Sequence, residues 1–255
     1  MHPYISFLDF RIPSYGLCLS IAVLLCGFLI IKKACALGIV FEDMIILAAV
    51  TVGAVILGGW LLYIIVTYSP QEIYNYIIKG DFSFIANGGL VFYGGLIGGI
   101  AGGLVCAKVL KIRIDSLEKS AIPYIPLGHA IGRIGCLLAG CCHGFVYDGA
   151  LAVKSVFTGN THFPTQALEA FFNLIIMAVL LLYSKKERAK YMILNYYLIM
   201  YSVMRFFGEF LRGDAIRGGI LFFSTSQWIS ILIFTACMSF RIYSSLKKDK
   251  CLYLK

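Results

Sequence analysis

Long, unbroken apolar runs are the feature that most restricts how this chain can fold. A helix needs about 20 mostly apolar residues to cross the hydrocarbon core of a membrane, and seven stretches approach that length. They cover roughly residues 15–37, 44–67, 89–109, 121–139, 166–184, 191–211 and 224–246. The runs lack the short alternating pattern of membrane β-barrel strands. The sequence therefore predicts an all-α integral membrane protein, a bundle of seven transmembrane helices.

The composition excludes a soluble enzyme. Residues of the set AVILMFWYC make up 60% of the 255 residues and DEKR only 14%, and the mean hydropathy is +0.86. A soluble domain carries about 45–50% apolar and about 25% charged residues, so too little polar surface is present to cover a water-soluble fold. Because the seven runs use most of the chain, residues 1–255 are expected to form a single polytopic membrane domain.

The basic residues predict the orientation. Of the 22 Lys and Arg residues, 15 follow the first, third, fifth or seventh run, five lie on the opposite side and two fall within runs. Cytoplasmic loops of membrane proteins carry the excess of Lys and Arg, so the N-terminus is expected outside and the C-terminus in the cytoplasm. These flanks and their contacts with membrane lipids explain the net charge of +9, and no nucleic acid partner is expected.

Arg133, Arg205 and Glu209 stand out among the charged residues because they fall within predicted spans. A charge inside a membrane is costly and by default marks function. His129 and Arg133 are four residues apart, as are Arg205 and Glu209, so each pair shares one helix face. An Arg in this setting needs an anion, which is either a carboxylate elsewhere in the chain or a phosphate.

Glycines and helix starts admit structural explanations. The glycine ladder at 88–103 favours close packing of two helices, and Tyr93 within it is either an interface anchor or a hydroxyl aimed into a cavity. Thr165 is a plausible N-cap of the fifth span, with Glu169 early in that helix, and capping alone would explain both. Residues 224–227 likewise indicate a helix start before the seventh span.

The order of these motifs resembles that of the prolipoprotein diacylglyceryl transferase family of bacterial inner-membrane proteins. The resemblance covers nearly the whole chain, and the span number and orientation of the family agree with the charge count above. The motifs, in chain order, are SYGL at 14–17, GGLVFYGG at 88–95, GRIG at 132–135, PTQ at 164–166, RFFGEFLR at 205–212 and SQ at 226–227.

The resemblance implies an enzyme of the bacterial plasma membrane. Such an enzyme transfers the diacylglyceryl group of phosphatidylglycerol to the lipobox Cys thiol in a prolipoprotein signal peptide, releases glycerol phosphate, and needs no cofactor or metal. Arg133 and Arg205 would hold the phosphate and stabilise the leaving group, and Glu209 would orient Arg205 or another donor. The substrate-binding positions implied are Tyr15, Gly94, Gly95, Gly132, Cys136, Cys141, Gln166, Glu169 and Gln227.

Several positions depart from the family pattern. Tyr93 stands where the glycine motif of the family has a His, a candidate base for the acceptor thiol, and Tyr is a poor base because its ordinary pKa is about 10. Cys136 and Cys141 replace an Asn and a Glu, and Phe163 replaces a His. The arginines for a phosphate are therefore kept, whereas the groups around the acceptor have changed.

The segment C-x4-C-C-H at 136–143 leaves four interpretations open. The first is a metal site, although the spacing does not match the usual zinc patterns. The second is a disulfide or redox site, and the third is a set of small residues beside a local histidine. The fourth is a reworked site. In the last case a Cys thiolate or a His replaces the missing base or acts as nucleophile. Tyr93, His129 and His143 are the candidate bases.

Two other functions remain open at this point. A related lipid or headgroup transferase would use the same donor with a different acceptor. A non-catalytic membrane protein that binds a lipid or a partner would keep the arginines without the chemistry.

Overall fold

The computed structural model describes residues 2–7, 10–81, 89, 91–156, 159–185, 192–213, 219–220 and 222–252, and these residues are mostly helical. Short antiparallel hairpins pair β1 (Tyr4–Phe7) with β2 (Phe10–Pro13), β3 (Val153–Lys154) with β4 (Thr161–His162), and β5 (Gly219–Ile220) with β6 (Phe223–Ser224). The helices are α1 (Ser14–Ala36), α2 (Phe41–Thr67), α3 (Pro70–Ile78), α4 (Phe92–Val109), α5 (Ile114–Ala121), α6 (Ile125–Ala139), α7 (Thr165–Ser184), α8 (Ile193–Gly208) and α9 (Thr225–Leu252).

The architecture is that of an all-α membrane protein. Five helical segments in the described part of the chain are long and apolar enough to cross a membrane, and Tyr93–Val109 is a shorter apolar helix. The sixth predicted span corresponds to α8, whose 16 residues extend about 24 Å at about 1.5 Å per residue. The count of seven spans stays a prediction. The five segments are Ser14–Ala36, Phe41–Thr67, Ile114–Ala139, Thr165–Ser184 and Thr225–Ser245.

The outward faces of these helices are apolar. Leu24 on α1 and Ile65 on α2 are 74% and 71% exposed, and many other large apolar side chains on the same helices are also exposed. Contiguous apolar surface of this extent is rare on a soluble monomer. Hydrocarbon is the solvent in which such a surface is stable, which agrees with the composition of the chain.

The chain forms two compact units, of which one comprises residues 34–117. In this unit the glycine ladder packs α4 against α2, as the sequence predicts. A Cβ atom at Gly94 would overlap the backbone oxygen of Gly58, and one at Gly98 would overlap that of Ala54. The Val91 N–H also donates to the Gly59 carbonyl oxygen at 3.1 Å. Glycine is required at these positions because the two backbones touch.

The other unit comprises residues 1–33 and 118–255. Its apolar core contains Ile176 and Leu180 of α7 with Ile193 and Tyr197 of α8. A 3₁₀ turn at Ile122–Tyr124 separates α5 from α6. Prolines explain this break, since Pro123 lies in the turn and Pro126 in the first helical turn of α6, where a missing N–H is tolerated.

The segment after α6 pairs with the residue stretches that precede α7 and follow α8. Gly140, with φ of 78°, ends α6 in the left-handed conformation. Gly144 then pairs with Arg212, and its N–H donates to the Phe163 carbonyl oxygen at 3.0 Å. A Cβ atom at Gly144 would lie 2.7 Å and 2.8 Å from the carbonyl oxygens of Phe163 and Leu211. This crossing places the 136–143 segment beside α7 and the end of α8.

The two predicted helix starts have different outcomes. The assignment of Thr165 as an N-cap is wrong, because α7 begins at Thr165 itself and Pro164 occupies the cap position. The Thr165 hydroxyl instead donates to the Leu211 carbonyl oxygen at 3.2 Å, which fastens α7 to the end of α8. The start of α9 is confirmed, since Ser224 N–H donates to Gln227 Oε1 and Gln227 N–H donates to Ser224 Oγ.

Candidate functional site

Glu169 lies at the centre of three arginines. Arg133 Nε is 2.5 Å from Glu169 Oε2, while Arg205 Nη1 and Arg212 Nη1 are 3.5 Å and 3.9 Å from Oε1. The Glu169 side chain is only 6% exposed and that of Arg212 only 4%. The second turn of α7 thus carries a buried carboxylate. Guanidinium groups converge on it from α6, from α8 and from the residue after the 3₁₀ turn at Glu209–Leu211.

Arg205 has two further partners in the same cluster. Its Nη2 lies 2.7 Å from Glu209 Oε2 and donates to the Ser226 hydroxyl at 3.1 Å. The predicted pairing of Arg205 with Glu209 is therefore confirmed. The carboxylate elsewhere in the chain that Arg133 requires is Glu169.

The cluster carries a net positive charge. Three guanidinium groups against the carboxylates of Glu169 and Glu209 leave one net positive charge. Arg133 is the most exposed of the three arginines, at 23%. Next to it, a Cβ atom at Gly132 would meet no atom within 4 Å. The arrangement is suited to an anion that approaches Arg133 past Gly132, because a guanidinium has five N–H donors and one carboxylate does not exhaust them.

Buried amides connect the cluster to the 136–143 segment. Gln166 Nε2 donates to the Cys141 carbonyl oxygen at 2.7 Å, and Asn173 Nδ2 donates to the Glu169 carbonyl oxygen at 2.8 Å. Both residues are 1% exposed. Their side-chain oxygens have no hydrogen-bond partner among the described residues. The first turns of α7 are therefore polar and closely fixed where an apolar span would otherwise begin.

Three cysteine thiols meet beside this cluster. The Sγ atoms of Cys136, Cys141 and Cys142 all lie within 4.8 Å of one another. Cys142 has φ of 58°, a left-handed conformation that is uncommon for a residue other than glycine. Its sulfur accepts a hydrogen bond from the Cys136 thiol. This bond, together with the hydrogen bond and positive charge of Arg212 and the charge of Arg133, lowers the pKa of Cys142 in spite of its burial.

Two histidines stack at the end of the segment. The ring centroids of His143 and His162 are 3.9 Å apart, and their Nδ1 atoms lie 3.2 Å and 3.1 Å from the Gly144 carbonyl oxygen. A carbonyl oxygen only accepts hydrogen bonds, so Nδ1 carries the proton in each ring. In the neutral ring Nε2 is then the basic nitrogen.

Two other predicted site residues on α1 and α6 have structural neighbours. Tyr15 packs against Gly135, where an added Cβ atom would lie 3.3 Å from its ring. His129 lies against Tyr197 and Tyr201, with its Nδ1 3.2 Å from the Tyr197 hydroxyl. Tyr15 is thus beside the helix turn that carries Arg133 and Cys136, while His129 faces an aromatic group on α8.

The remaining predicted positions lie in the other unit or make packing contacts. Tyr93 is 59% exposed on α4, and the neighbouring Gly94 and Gly95 pack against Gly58 and Val55 of α2. Gln227 Nε2 donates to the Phe206 carbonyl oxygen at 3.5 Å. The substrate-binding roles of these residues stay predictions.

Arg212 and Ser226 also belong to the cluster. The charge count places Arg212 among the five basic residues on the side opposite the cytoplasm, and residues 224–227 indicate only a helix start. A signal for Arg212 was present, because residues 205, 209 and 212 follow the i, i+4, i+7 spacing of one helix face. Ser226 lies in the SQ motif at 226–227, but no spacing predicts its contact with Arg205, which depends on how α8 and α9 pack.

An apolar groove lies between α8 and α9, one residue from Arg205 along α8. It encloses about 190 Å³. The hydroxyls of Ser202 and Ser230 within it donate to carbonyl oxygens of their own helices, so they do not make it polar. Its other lining residues are Val203, Phe206, Phe207, Ile231 and Phe234.

Comparison with known proteins gives one consistent result. A family model described as "Prolipoprotein diacylglyceryl transferase" matches residues 3–243. The chain is similar to phosphatidylglycerol–prolipoprotein diacylglyceryl transferase 2 of Clostridium perfringens, with 34% identity over 228 residues, which is 88% of this chain and 87% of the relative. The corresponding proteins of Clostridium tetani and Francisella tularensis are 34% and 32% identical and cover 87% and 77% of this chain, with 88% and 75% of their own lengths matched.

Proposed function

Because the chain belongs to the prolipoprotein diacylglyceryl transferase family, we propose that it is a membrane transferase that moves the diacylglyceryl group of phosphatidylglycerol to a prolipoprotein. The acceptor atom is the thiol of the lipobox Cys in the signal peptide, and the second product is glycerol phosphate. The setting is the bacterial plasma membrane, in which the chain forms a single polytopic domain of seven spans with its N-terminus outside and its C-terminus in the cytoplasm.

The observation that carries this proposal is the net positive cluster around Glu169. A phosphatidylglycerol phosphate carries one negative charge, which matches the charge of +1 that three arginines and two carboxylates leave. Arg133 and Arg205 bind the phosphate and stabilise the negative charge that grows on the leaving oxygen. Glu209 orients Arg205, and Glu169 keeps the three guanidinium groups together without neutralising them.

An apolar groove beside the arginine cluster could accommodate the lipid tail of the donor. The groove between α8 and α9 is apolar and begins at the same turn of α8 that carries Arg205. A donor whose phosphate meets Arg205 would therefore place the start of an acyl chain against Phe206 and Phe207. This arrangement favours a phospholipid donor over a water-soluble phosphate ester, since only the phospholipid fills both places.

The acceptor thiol must lose a proton before it attacks. Of the three candidate bases, we favour His143, because the Gly144 carbonyl oxygen fixes its Nδ1 as a donor and leaves Nε2 basic. His129 lies against tyrosines on α8, and Tyr93 is a poor base at neutral pH. His143→Ala should then abolish transfer, while His129→Ala and Tyr93→Phe retain most of it. Loss only in Tyr93→Phe would reverse the assignment.

The decisive experiment supplies the full chain with labelled phosphatidylglycerol and a lipobox peptide. Label on the peptide thiol, together with release of glycerol phosphate, supports the proposal. Label on another acceptor would indicate a related lipid or headgroup transferase. Lipid binding without release of glycerol phosphate would indicate a non-catalytic membrane protein. Complementation of a bacterial strain that lacks its own transferase tests the same activity in the cell.

Two variants test the phosphate site directly. Arg133→Ala and Arg205→Ala should each remove transfer while the protein still inserts into the membrane. Arg113→Ala is the matched control, because Arg113 is exposed and lies outside the cluster. Full activity in either cluster variant would exclude the proposed binding of the phosphate.

A further inference from the structure

The three thiols at the end of α6 form an arrangement that the phosphate site does not use. Cys136 lies in the last turn of α6, and Cys141 and Cys142 follow the left-handed Gly140. All three Sγ atoms are within 4.8 Å of one another, and Cys141 is exposed while the other two are partly buried. Three sulfur atoms around one point, open on one side, are the donor set of a thiophilic metal ion.

The geometry favours coordination over a disulfide. A disulfide would join two of the thiols and leave the third unused, whereas a metal ion uses all three. Tetrahedral Zn²⁺ with Zn–S bonds of about 2.3 Å requires sulfur separations of about 3.8 Å. Small rotations of the side chains bring sulfurs that are within 4.8 Å to that separation.

The backbone explains how adjacent cysteines serve one ion. Consecutive side chains in an extended segment point away from each other, so two neighbouring cysteines do not ordinarily converge. At Cys142 the left-handed backbone, with φ of 58°, turns the chain so that its thiol returns to Cys136. This local conformation allows the C-x4-C-C spacing, which does not match the usual zinc patterns, to bring three thiols to one point.

We propose that Cys136, Cys141 and Cys142 bind one Zn²⁺ ion and that the fourth coordination position, on the side of Cys141, takes the acceptor thiol. The second part of this proposal rests on the proposed function. Three thiolates and Zn²⁺ have a net charge of −1, and the guanidinium of Arg212, which is hydrogen-bonded to Cys142, lies beside that charge. A site with three protein ligands and one open position is typical of catalytic zinc.

The ion would help to activate the acceptor thiol, which is the role that the resemblance gives to the His replaced here by Tyr93. A thiol that coordinates Zn²⁺ is deprotonated, and its proton passes to the general base. The sulfur lone pair then forms the C–S bond to the glyceryl carbon of phosphatidylglycerol. The C–O bond between that carbon and the phosphate oxygen breaks, and its electron pair stays on the oxygen as glycerol phosphate leaves. Arg133 and Arg205 stabilise that oxygen, while Zn²⁺ holds the nucleophile.

Metal content tests the site independently of the reaction. The full chain is purified in reduced form without oxygen, exposed to Zn²⁺, freed of excess metal and analysed by mass spectrometry for zinc. We expect about one Zn²⁺ per chain, loss of the ion in Cys136→Ser, Cys141→Ser and Cys142→Ser, and retention in Cys35→Ser, whose thiol is exposed on α1. Replacement by Co²⁺ should give the thiolate-to-metal absorption band in the wild type and in Cys35→Ser only.

If a serine variant does not fold, an alkylation experiment on the wild type still tests the metal site. In the wild type, Zn²⁺ should protect the three cysteines from alkylation by a maleimide while Cys35 still reacts. Absence of zinc from the wild-type protein, or equal alkylation with and without Zn²⁺, would overturn the metal site.

Transfer activity tests whether the acceptor thiol occupies the fourth coordination position of the Zn²⁺ ion. Chelation should abolish transfer to the lipobox peptide, and added Zn²⁺ should restore it. Full transfer by the zinc-free wild type would overturn the assignment of the acceptor to the ion. A zinc-loaded protein that transfers nothing under any condition would count against the proposed function, because the metal content is measured separately.

Discussion

The helix pair α2–α4 and the cluster around Glu169 both bring segments of an apolar chain into close contact, and they do so by opposite means. In the pair, Gly94 and Gly98 remove side chains so that backbones touch. In the cluster, long charged side chains fill the space between α6, α7 and α8. The pair is thus sensitive to an atom added where the two backbones touch, whereas the cluster is sensitive to any removed charge.

The difference follows from the solvent. Lipid tails are as apolar as Leu, so helices gain little by hiding apolar surface from them and depend on close van der Waals packing. The charges of the cluster, in contrast, have no alternative partner in hydrocarbon and stabilise one another only as a complete set. Packing gives the α2–α4 pair its geometry, and charge balance gives the cluster both its geometry and its chemistry.

The largest effect is expected from removal of the central carboxylate. Glu169→Ala leaves three guanidinium groups without their shared partner, and loss of one member of a buried ion pair costs about 3–5 kcal/mol. We expect a large fall in the thermal unfolding temperature in detergent and loss of transfer. Glu72→Ala is the control, since that carboxylate is exposed on α3. Equal stability of the two variants would show that the arginines do not depend on Glu169.

The next effect comes from one added methyl group in the helix pair. In Gly98→Ala the new Cβ atom overlaps the Ala54 backbone oxygen, so the helices must separate. Overpacking of this kind costs about 1–3 kcal/mol. Gly53→Ala on α2 is the matched control because its Cβ atom would meet nothing within 4 Å. Unfolding in detergent distinguishes them, and an unaffected Gly98→Ala would mean that the α2–α4 contact is not close in the membrane.

Much of the fold could be predicted because local sequence patterns, the long apolar runs above all, determine its helices. The run at 15–37 became α1 (Ser14–Ala36), and the run at 166–184 became α7 (Thr165–Ser184), since about 20 apolar residues have few alternatives to a membrane helix. The helix α3 (Pro70–Ile78) was not predicted, because it is short and its signal is the capping box of Ser69 and Glu72. The length of apolar runs in the sequence does not reveal a helix of this kind.

The candidate site could be predicted only in part. Arg205 and Glu209 are neighbours along one helix, so their spacing sufficed. The contact of Arg133 with Glu169 depends on the packing of α6 against α7, and no local pattern records it. The meeting of the thiols depends on left-handed conformations at Gly140 and Cys142. For a residue other than glycine, that conformation cannot be inferred from the residue type.

A smaller effect is expected from a neutral hydrogen bond beside the cluster. Tyr197→Phe removes the hydroxyl that lies 3.2 Å from His129 Nδ1, and a hydrogen bond of this kind contributes about 1 kcal/mol. We expect a small loss of thermal stability with transfer retained. Tyr201→Phe serves as control, since its contact with His129 is through the ring. Complete loss of transfer in Tyr197→Phe alone would point to His129 as the base instead of His143.

The smallest effect concerns Glu72, an exposed counterpart of Glu169. Its Oε2 accepts hydrogen bonds from the backbone N–H and the hydroxyl of Ser69, each at 2.8 Å. These bonds, the backbone one first, lower the pKa of Glu72 below its ordinary value. A lowered pKa means that the carboxylate stabilises α3 at every pH above about 4.3, the value in the unfolded chain, and that this contribution disappears as the pH falls through the lowered pKa.

The protection factors of the α3 amides in hydrogen exchange measure this contribution. They should be constant above about pH 5 and decrease below about pH 4 in the wild type. Ser69→Ala should reduce them at neutral pH and weaken the pH dependence, since both groups of the capping box are involved. If α3 keeps its protection at low pH in the wild type, packing of its apolar face holds the helix. An exposed carboxylate on this chain would then contribute almost nothing, and the contrast with the buried Glu169 would be complete.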